Sequence, residues 1–184
     1  MDKVKELYGS AKSKKNLAFG DVLFVDPGLG GTGVALFPVI HTKSTDKQFC
    51  KHIFNDVLHA PSNEQWDNRA WSIAVQFKGL LQCSIVRDVV IEFPKLFSGS
   101  AKSQSSASKG DLFKLTHLIG MLSLVSCEHT GNLPILMTPE DWKGQLPKAA
   151  VINRIKKAYD DQMLMLRDHE ADAIGMGVSA QGRL

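Results

Sequence analysis

The feature that most constrains this chain is an apolar run ending in one acid and a glycine-rich turn. Val22–Val25 leads into Asp26, Pro27-Gly28-Leu29-Gly30-Gly31-Thr32-Gly33 follows, and Val34–Phe37 leaves it. Two unbroken apolar runs around a turn predict a hairpin of core strands, Asp21 to Asp26 and Gly33 to Pro38, covered on both faces. Pro27 has no N–H for a ladder and ends the first strand. Gly28, Gly30, Gly31 and Gly33 allow positive φ and let backbone pass close to a ligand. Alone, this is equally a plain hairpin with a solvated Asp. It becomes a site if other carboxylates reach Asp26.

The chain supplies them in order. A third strand is expected over Ile53 to His59, stopped at Ala60-Pro61. Ser62 or Asn63 is the expected N-cap of a helix over Glu64 to Leu81. Trp66, Ala70, Ile73, Ala74, Phe77 and Leu81 share its core face, and Trp71 widens that face. Val86 to Glu92 repeats the opening pattern: a β-branched run, an acid, then Pro94. Asp111 is the expected cap of a helix to about Ser126, with Leu112, Leu115, Leu118, Ile119 and Leu122 on its apolar side. A short strand over Leu133 to Met137 contains Pro134, which places it at an edge. Pro147 suits the first turn of the next helix, which buries Val151, Ile152, Ile155 and Tyr159. The last helix starts near Asp168 as N-cap and sets His169 and Asp172 on one face. Its Ala173, Gly175 and Gly177 allow it to press on a sheet.

Charge and cysteine content exclude several classes. The net charge of +3 is too small to point to nucleic acid, but its distribution is uneven. Lys3, Lys5, Lys12, Lys14 and Lys15 crowd the start, and Lys143, Lys148, Arg154, Lys156 and Lys157 crowd an acid-free stretch. Such clusters suit phosphates or a solvated face. Residues 98–110 form a serine-rich loop in which Lys102 and Lys109 either meet phosphates or sit in an inert linker. Cys50, Cys83 and Cys127 are odd in number, without C-x-x-C spacing, so a disulfide framework and zinc are not expected. A reducing, cytoplasmic setting follows, and no apolar run approaches membrane-spanning length. Residues 1–17 read as a basic N-terminal segment and residues 18–184 as one domain.

Asp26, Glu92 and Asp172 thus stand at the ends of buried elements, with His169 beside the third. If they meet, like charges repel unless a cation joins them. Mg²⁺ takes carboxylates, waters and phosphate oxygens. Two such ions about 4 Å apart activate a water and stabilise a leaving oxygen in phosphodiester hydrolysis.

The same residues carry a resemblance. Asp26-Pro27-Gly28-Leu29-Gly30-Gly31-Thr32-Gly33 resembles the D-P-G-x-x-x-T-G opening of RuvC-type Holliday-junction resolvases. Ile91-Glu92 resembles the acid ending their fourth strand, and His169-Glu170-Ala171-Asp172-Ala173 their C-terminal D/H-x-x-D-A motif. Lys143 and Lys148 lie where that family has a lysine-bearing stretch. The resemblance spans roughly residues 20–180. It implies an α/β fold of ribonuclease H type: a five-stranded mixed sheet flanked by helices, with the first three strands antiparallel. It implies a Mg²⁺-dependent endonuclease, with Mn²⁺ able to substitute, cutting branched DNA as a homodimer. By it, Asp26, Glu92 and Asp172 are catalytic metal ligands, and His169 is a ligand or proton-handling group. Lys143 and Lys148 approach phosphates.

There are departures. Residues 39–52 look like extra sequence, and Phe93 or Phe97 stands in for the family's junction-wedging aromatic without a clean match. Asp168 is a rival to His169 for the fourth position. Compact size and the serine-rich loop point to a phage-type member acting in a bacterial or phage-infected cell. Competing readings are a non-catalytic DNA-binding module, a same-fold nuclease for flaps, replication intermediates or RNA–DNA hybrids, and an actin-like phosphotransferase. The last lacks a second glycine-rich phosphate loop.

Overall fold

The structure, a computed structural model, describes residues 21–38, 52–94, 110–159 and 167–181. The basic N-terminal segment, most of the extra sequence at 39–52, and the serine-rich stretch with Lys102 and Lys109 lie outside the described residues, as does Phe97.

Five strands form one sheet: β1 (Asp21–Asp26), β2 (Thr32–Pro38), β3 (Phe54–Leu58), β4 (Val86–Glu92) and β5 (Ile135–Met137). Their order is β3-β2-β1-β4-β5. β1 pairs antiparallel with β2, and β2 antiparallel with β3, while β1–β4 and β4–β5 are parallel. This is the mixed five-stranded sheet of the expected ribonuclease H-like fold. β5 begins after Pro134 and lies at the edge, as the missing N–H requires.

The strands alternate between two cores, as a period of two dictates. Val22, Phe24, Ala35, Phe37 and Val90 face one core; Leu23, Val25, Val34, Leu36 and Ile91 face the other. The second core is closed by α1 (Trp66–Gln82), through Ala70, Ile73, Phe77 and Leu81, and by α2 (Asp111–Thr130), through Leu118, Ile119 and Leu122. The first is closed by Trp142 of the single turn α3 (Pro139–Trp142), by α4 (Lys148–Ala158), through Val151 and Ile155, and by α5 (Asp168–Ala180).

Several boundaries differ from expectation. The α1 N-cap is Gln65, not Ser62 or Asn63, because Pro61–Glu64 closes its own turn first, Glu64 N–H donating to Pro61 O. Trp71 does not widen the apolar face; it points outward and is 65% exposed. The cap of α2 is Gly110 at φ 71°, a conformation that favours glycine, so Asp111 falls in the first turn. That helix runs on to Thr130 and stops at Gly131, φ 74°. Arg167, not Asp168, caps α5; its N–H donates to Glu170 Oε2 at 3.0 Å.

Candidate active site

The hairpin turn closes on itself before it meets anything else. Asp26 pairs with Gly33 across the ladder, and Gly31 N–H donates to Gly28 O at 3.2 Å. The Thr32 hydroxyl, fully buried, donates to Gly28 O at 3.1 Å and accepts from Gly28 N–H at 3.3 Å. None of the hairpin glycines uses the positive φ that glycine allows. At Gly28, Gly31 and Gly33 the glycine leaves space for a neighbour. A Cβ on Gly33 would lie 2.0 Å from His169 O, and one on Gly28 would lie 2.8 Å from His169 Cε1. Gly28 and Gly33 carry no Cβ where the first turn of α5 rests on them, whereas Gly31 leaves room for Val57 and His59 and Gly30 is unobstructed.

That helix is seated by small residues farther along. A Cβ on Gly177 would sit 2.2 Å from the Phe37 ring, and one on Gly175 would sit 2.5 Å from Trp142. Two hydrogen bonds fix its start: Asn55 Nδ2 donates to Glu170 Oε1 at 2.7 Å, and Arg167 Nη1 meets His59 Nε2 at 2.9 Å. Close packing delivers His169 and Asp172 to the sheet edge where β1 and β4 end.

Parallel pairing of Val25 with Ile91 puts Asp26 and Glu92 one residue further, on neighbouring strand ends. Asp26 is 6% exposed, and its Oδ2 meets His169 Nδ1 at 2.7 Å. Burial pushes the Asp26 carboxyl up, and the hydrogen bond from His169 partly offsets this. The same bond pushes the imidazole up, against its own burial. Glu92 is pushed up to about 7, first by burial and then by the charge of Asp26, with Asp172 adding to it. Lys143 and the indole of Trp142 pull the other way; Trp142 Nε1–H donates to Glu92 Oε2 at 2.7 Å. Asp172 Oδ2 faces Lys148 Nζ at 3.5 Å and Lys143 Nζ at 3.9 Å.

The structure therefore brings Asp26, Glu92, His169 and Asp172 within electrostatic reach of one another, with Lys143 and Lys148 on Asp172. Asp168 is not on Asp26; it is exposed and pairs with Lys148 at 3.4 Å. Phe93 packs against the α1–α2 core, and its N–H donates to Met137 O at 2.8 Å. Trp142, Asn55 and Glu170 are contributors that sequence reasoning passed over. Their partners lie 50 and 115 residues away, and no local spacing marks them.

Among the described residues no three His, Cys, Asp or Glu groups already stand close enough to hold an ion together. The donor set still fits a hard cation. Asp172 Oδ1 is buried with no hydrogen-bond partner, which costs free energy until a cation or donor meets it. All the acids are oxygen donors, the kind Mg²⁺ selects. Cys83 and Cys127 are free thiols away from this edge, and no described helix is long and apolar enough to cross a membrane.

No family model and no curated protein matches the chain. Solved structures do. A complex of Thermus thermophilus RuvC with a Holliday junction substrate superposes with a TM-score of 0.64 at 17% identity, covering 87% of this chain and 91% of that one. Thermus thermophilus RuvC alone gives 0.65 at 16% identity, covering 86% and 92%. The yeast mitochondrial Holliday junction resolvase Ydc2 gives 0.57 at 14%, covering 98% and 89%. The chain has the fold of the RuvC-type resolvases.

Proposed function

We propose that this chain is a divalent-metal-dependent endonuclease that hydrolyses phosphodiesters in branched DNA, with four-way junctions as its substrate and a homodimer as its working form. The observation that carries the reading is that Asp26 and Glu92, on adjacent strand ends, stand within electrostatic reach of Asp172, whose inner oxygen is buried and unpartnered. The shared fold with two junction resolvases supports the choice of substrate.

Asp26, Glu92 and Asp172 would hold Mg²⁺, or Mn²⁺ in its place. Bound there, the ion supplies Lewis-acid stabilisation of the phosphate and a water of lowered pKa. The chain's own groups do the rest. Asp26 Oδ2 accepts from His169 Nδ1–H, which fixes the imidazole and leaves Nε2 to take a proton from the attacking water. The P–O bond on the far side breaks, and the leaving oxygen takes a proton from solvent. Lys143 and Lys148 neutralise Asp172 as the protein stands and turn to substrate phosphates when a cation takes that carboxylate.

A labelled four-way junction and its matching linear duplex, each incubated with Mg²⁺, test this. Paired symmetrical nicks in the junction alone are expected, with Asp26→Asn slower by at least about 10³-fold, since the ion's stabilisation is worth several kcal/mol. Cleavage of both substrates would keep the nuclease and discard junction selectivity.

A second reading is a junction-binding module without catalysis. It is favoured by the lack of a preassembled trio among the described residues. Tight junction binding with no cleavage in Mg²⁺ or Mn²⁺ would select it.

A further inference from the structure

Trp142 is 4% exposed, yet its one polar side-chain atom points at the end of β4. A buried indole needs an acceptor, and here the acceptor is Glu92 Oε2 at 2.7 Å. The ring lies in a notch that only a glycine leaves open, since a Cβ on Gly175 would stand 2.5 Å from Trp142 Cζ3. Ser179 Oγ donates to the Trp142 carbonyl at 2.8 Å. Gly175 and Ser179 belong to α5, the helix that carries Asp172. Lys143, the next residue, sets its Nζ 4.6 Å from the indole centroid and 3.9 Å from Asp172 Oδ2.

We propose that Trp142 is a positioning residue that binds one oxygen of Glu92, presents the other to a divalent cation, and ties the aim of Glu92 to the seating of the helix bearing Asp172. The inference rests on the metal-site reading above and adds what holds Glu92 in place. Glu92 would otherwise swing about its own side-chain torsions or accept an ion through both oxygens. The indole removes one oxygen from that choice. Because α5 seats the indole, one rigid helix aligns two acids: Asp172 directly and Glu92 through Trp142.

The test is Mn²⁺ binding by calorimetry on the full chain, with exchange of the Trp142 indole N–H followed by NMR. Trp142→Phe keeps a ring and removes the donor; it is expected to weaken Mn²⁺ binding by about 10- to 100-fold, the usual cost of losing a group behind a ligand. Gly175→Ala touches no acid but pushes the ring, and is expected to weaken binding in the same direction. In the metal-free protein the Trp142 indole N–H is expected to exchange slowly, and Glu92→Ala to speed it. Wild-type protein that binds no Mn²⁺ would remove the metal site on which the proposal stands. Wild-type binding with unchanged affinity in both variants, or an indole that stays slow in Glu92→Ala, would overturn the role of Trp142 alone.

Discussion

The two layers that cover the sheet bury alternate residues of the same strands, yet they are built differently. On the α1–α2 side, large side chains fill the space: Phe77, Ile73, Leu81, Leu118 and Leu122 meet Leu23, Val25 and Ile91. The glycines of that layer, Gly79 and Gly120, are exposed on the outer side of their helices, with nothing near the place a Cβ would take. On the α5 side the helix backbone itself approaches the sheet, and Gly33, Gly175 and Gly177 leave room for no added atom. Asp and Asn have short side chains. They reach across a layer only where backbones come this close. The first layer supplies burial, which tolerates volume-conserving change; the second holds chemistry in register and tolerates little.

Glycine-to-alanine exchange should therefore change sign between the layers. The largest effect is expected at Gly33→Ala, whose Cβ would meet a backbone carbonyl at 2.0 Å, with no flexible atom to yield. We expect about 3 kcal/mol or more of lost stability, read as a lower urea midpoint, since overpacking against backbone sits at the upper end of its usual cost. A Gly33→Ala protein as stable as wild type would break the comparison.

A second effect belongs to charge. Glu92 has its folded pKa raised to about 7 from 4.5. Above 4.5 the unfolded chain gives up this proton while the folded one keeps it, so stability falls as pH rises from about 4.5 to about 7. Asp26 and His169 are raised too and act in the same direction: the stability held at low pH is lost as each deprotonates in the folded state. In metal-free buffer the Glu92 share is up to about 3 kcal/mol, for a shift of 2.5 taken from the two values above. Glu92→Gln should flatten that part of the pH–stability curve, and Mg²⁺ should raise Tm more at pH 8 than at pH 5.5. A wild-type curve that climbs with pH would contradict the burial of these acids.

The smallest effect lies on the other layer. Gly120→Ala in mid-helix and Gly79→Ala in the last turn of α1, both unobstructed, should each stabilise by up to about 0.5–1 kcal/mol and leave cleavage unchanged. Thermal unfolding reads the first and the junction assay the second.

What was legible in the sequence follows the same division. Strand β1, the α1 core face and the acids at the strand ends were readable because burial imposes a period and acids after apolar runs stand out. The glycine hairpin was readable as a hairpin, but Gly28 and Gly33 serve contact with α5 rather than positive φ, and that reason lies at His169, 136 residues beyond Gly33. Nothing local in the sequence marks Trp142, because its donor is paired with a carboxylate 50 positions earlier. Trp71 fell on the helical stripe, but the stripe does not say how wide the covering layer is. Local patterns report on burial; the contacts that aim the acids are long-range and leave no spacing behind.

The central claim is that a divalent cation sits at the α5 edge of the sheet and nowhere else near the core. The most direct measurement is paramagnetic broadening of the three tryptophan indole N–H signals by substoichiometric Mn²⁺. Trp142 donates to Glu92, whereas Trp66 and Trp71 belong to α1 on the opposite layer. The account predicts that the Trp142 signal broadens first and disappears while the other two stay sharp, and that Asp26→Asn abolishes the difference. Equal broadening of all three, or earlier loss of Trp66 or Trp71, would contradict it.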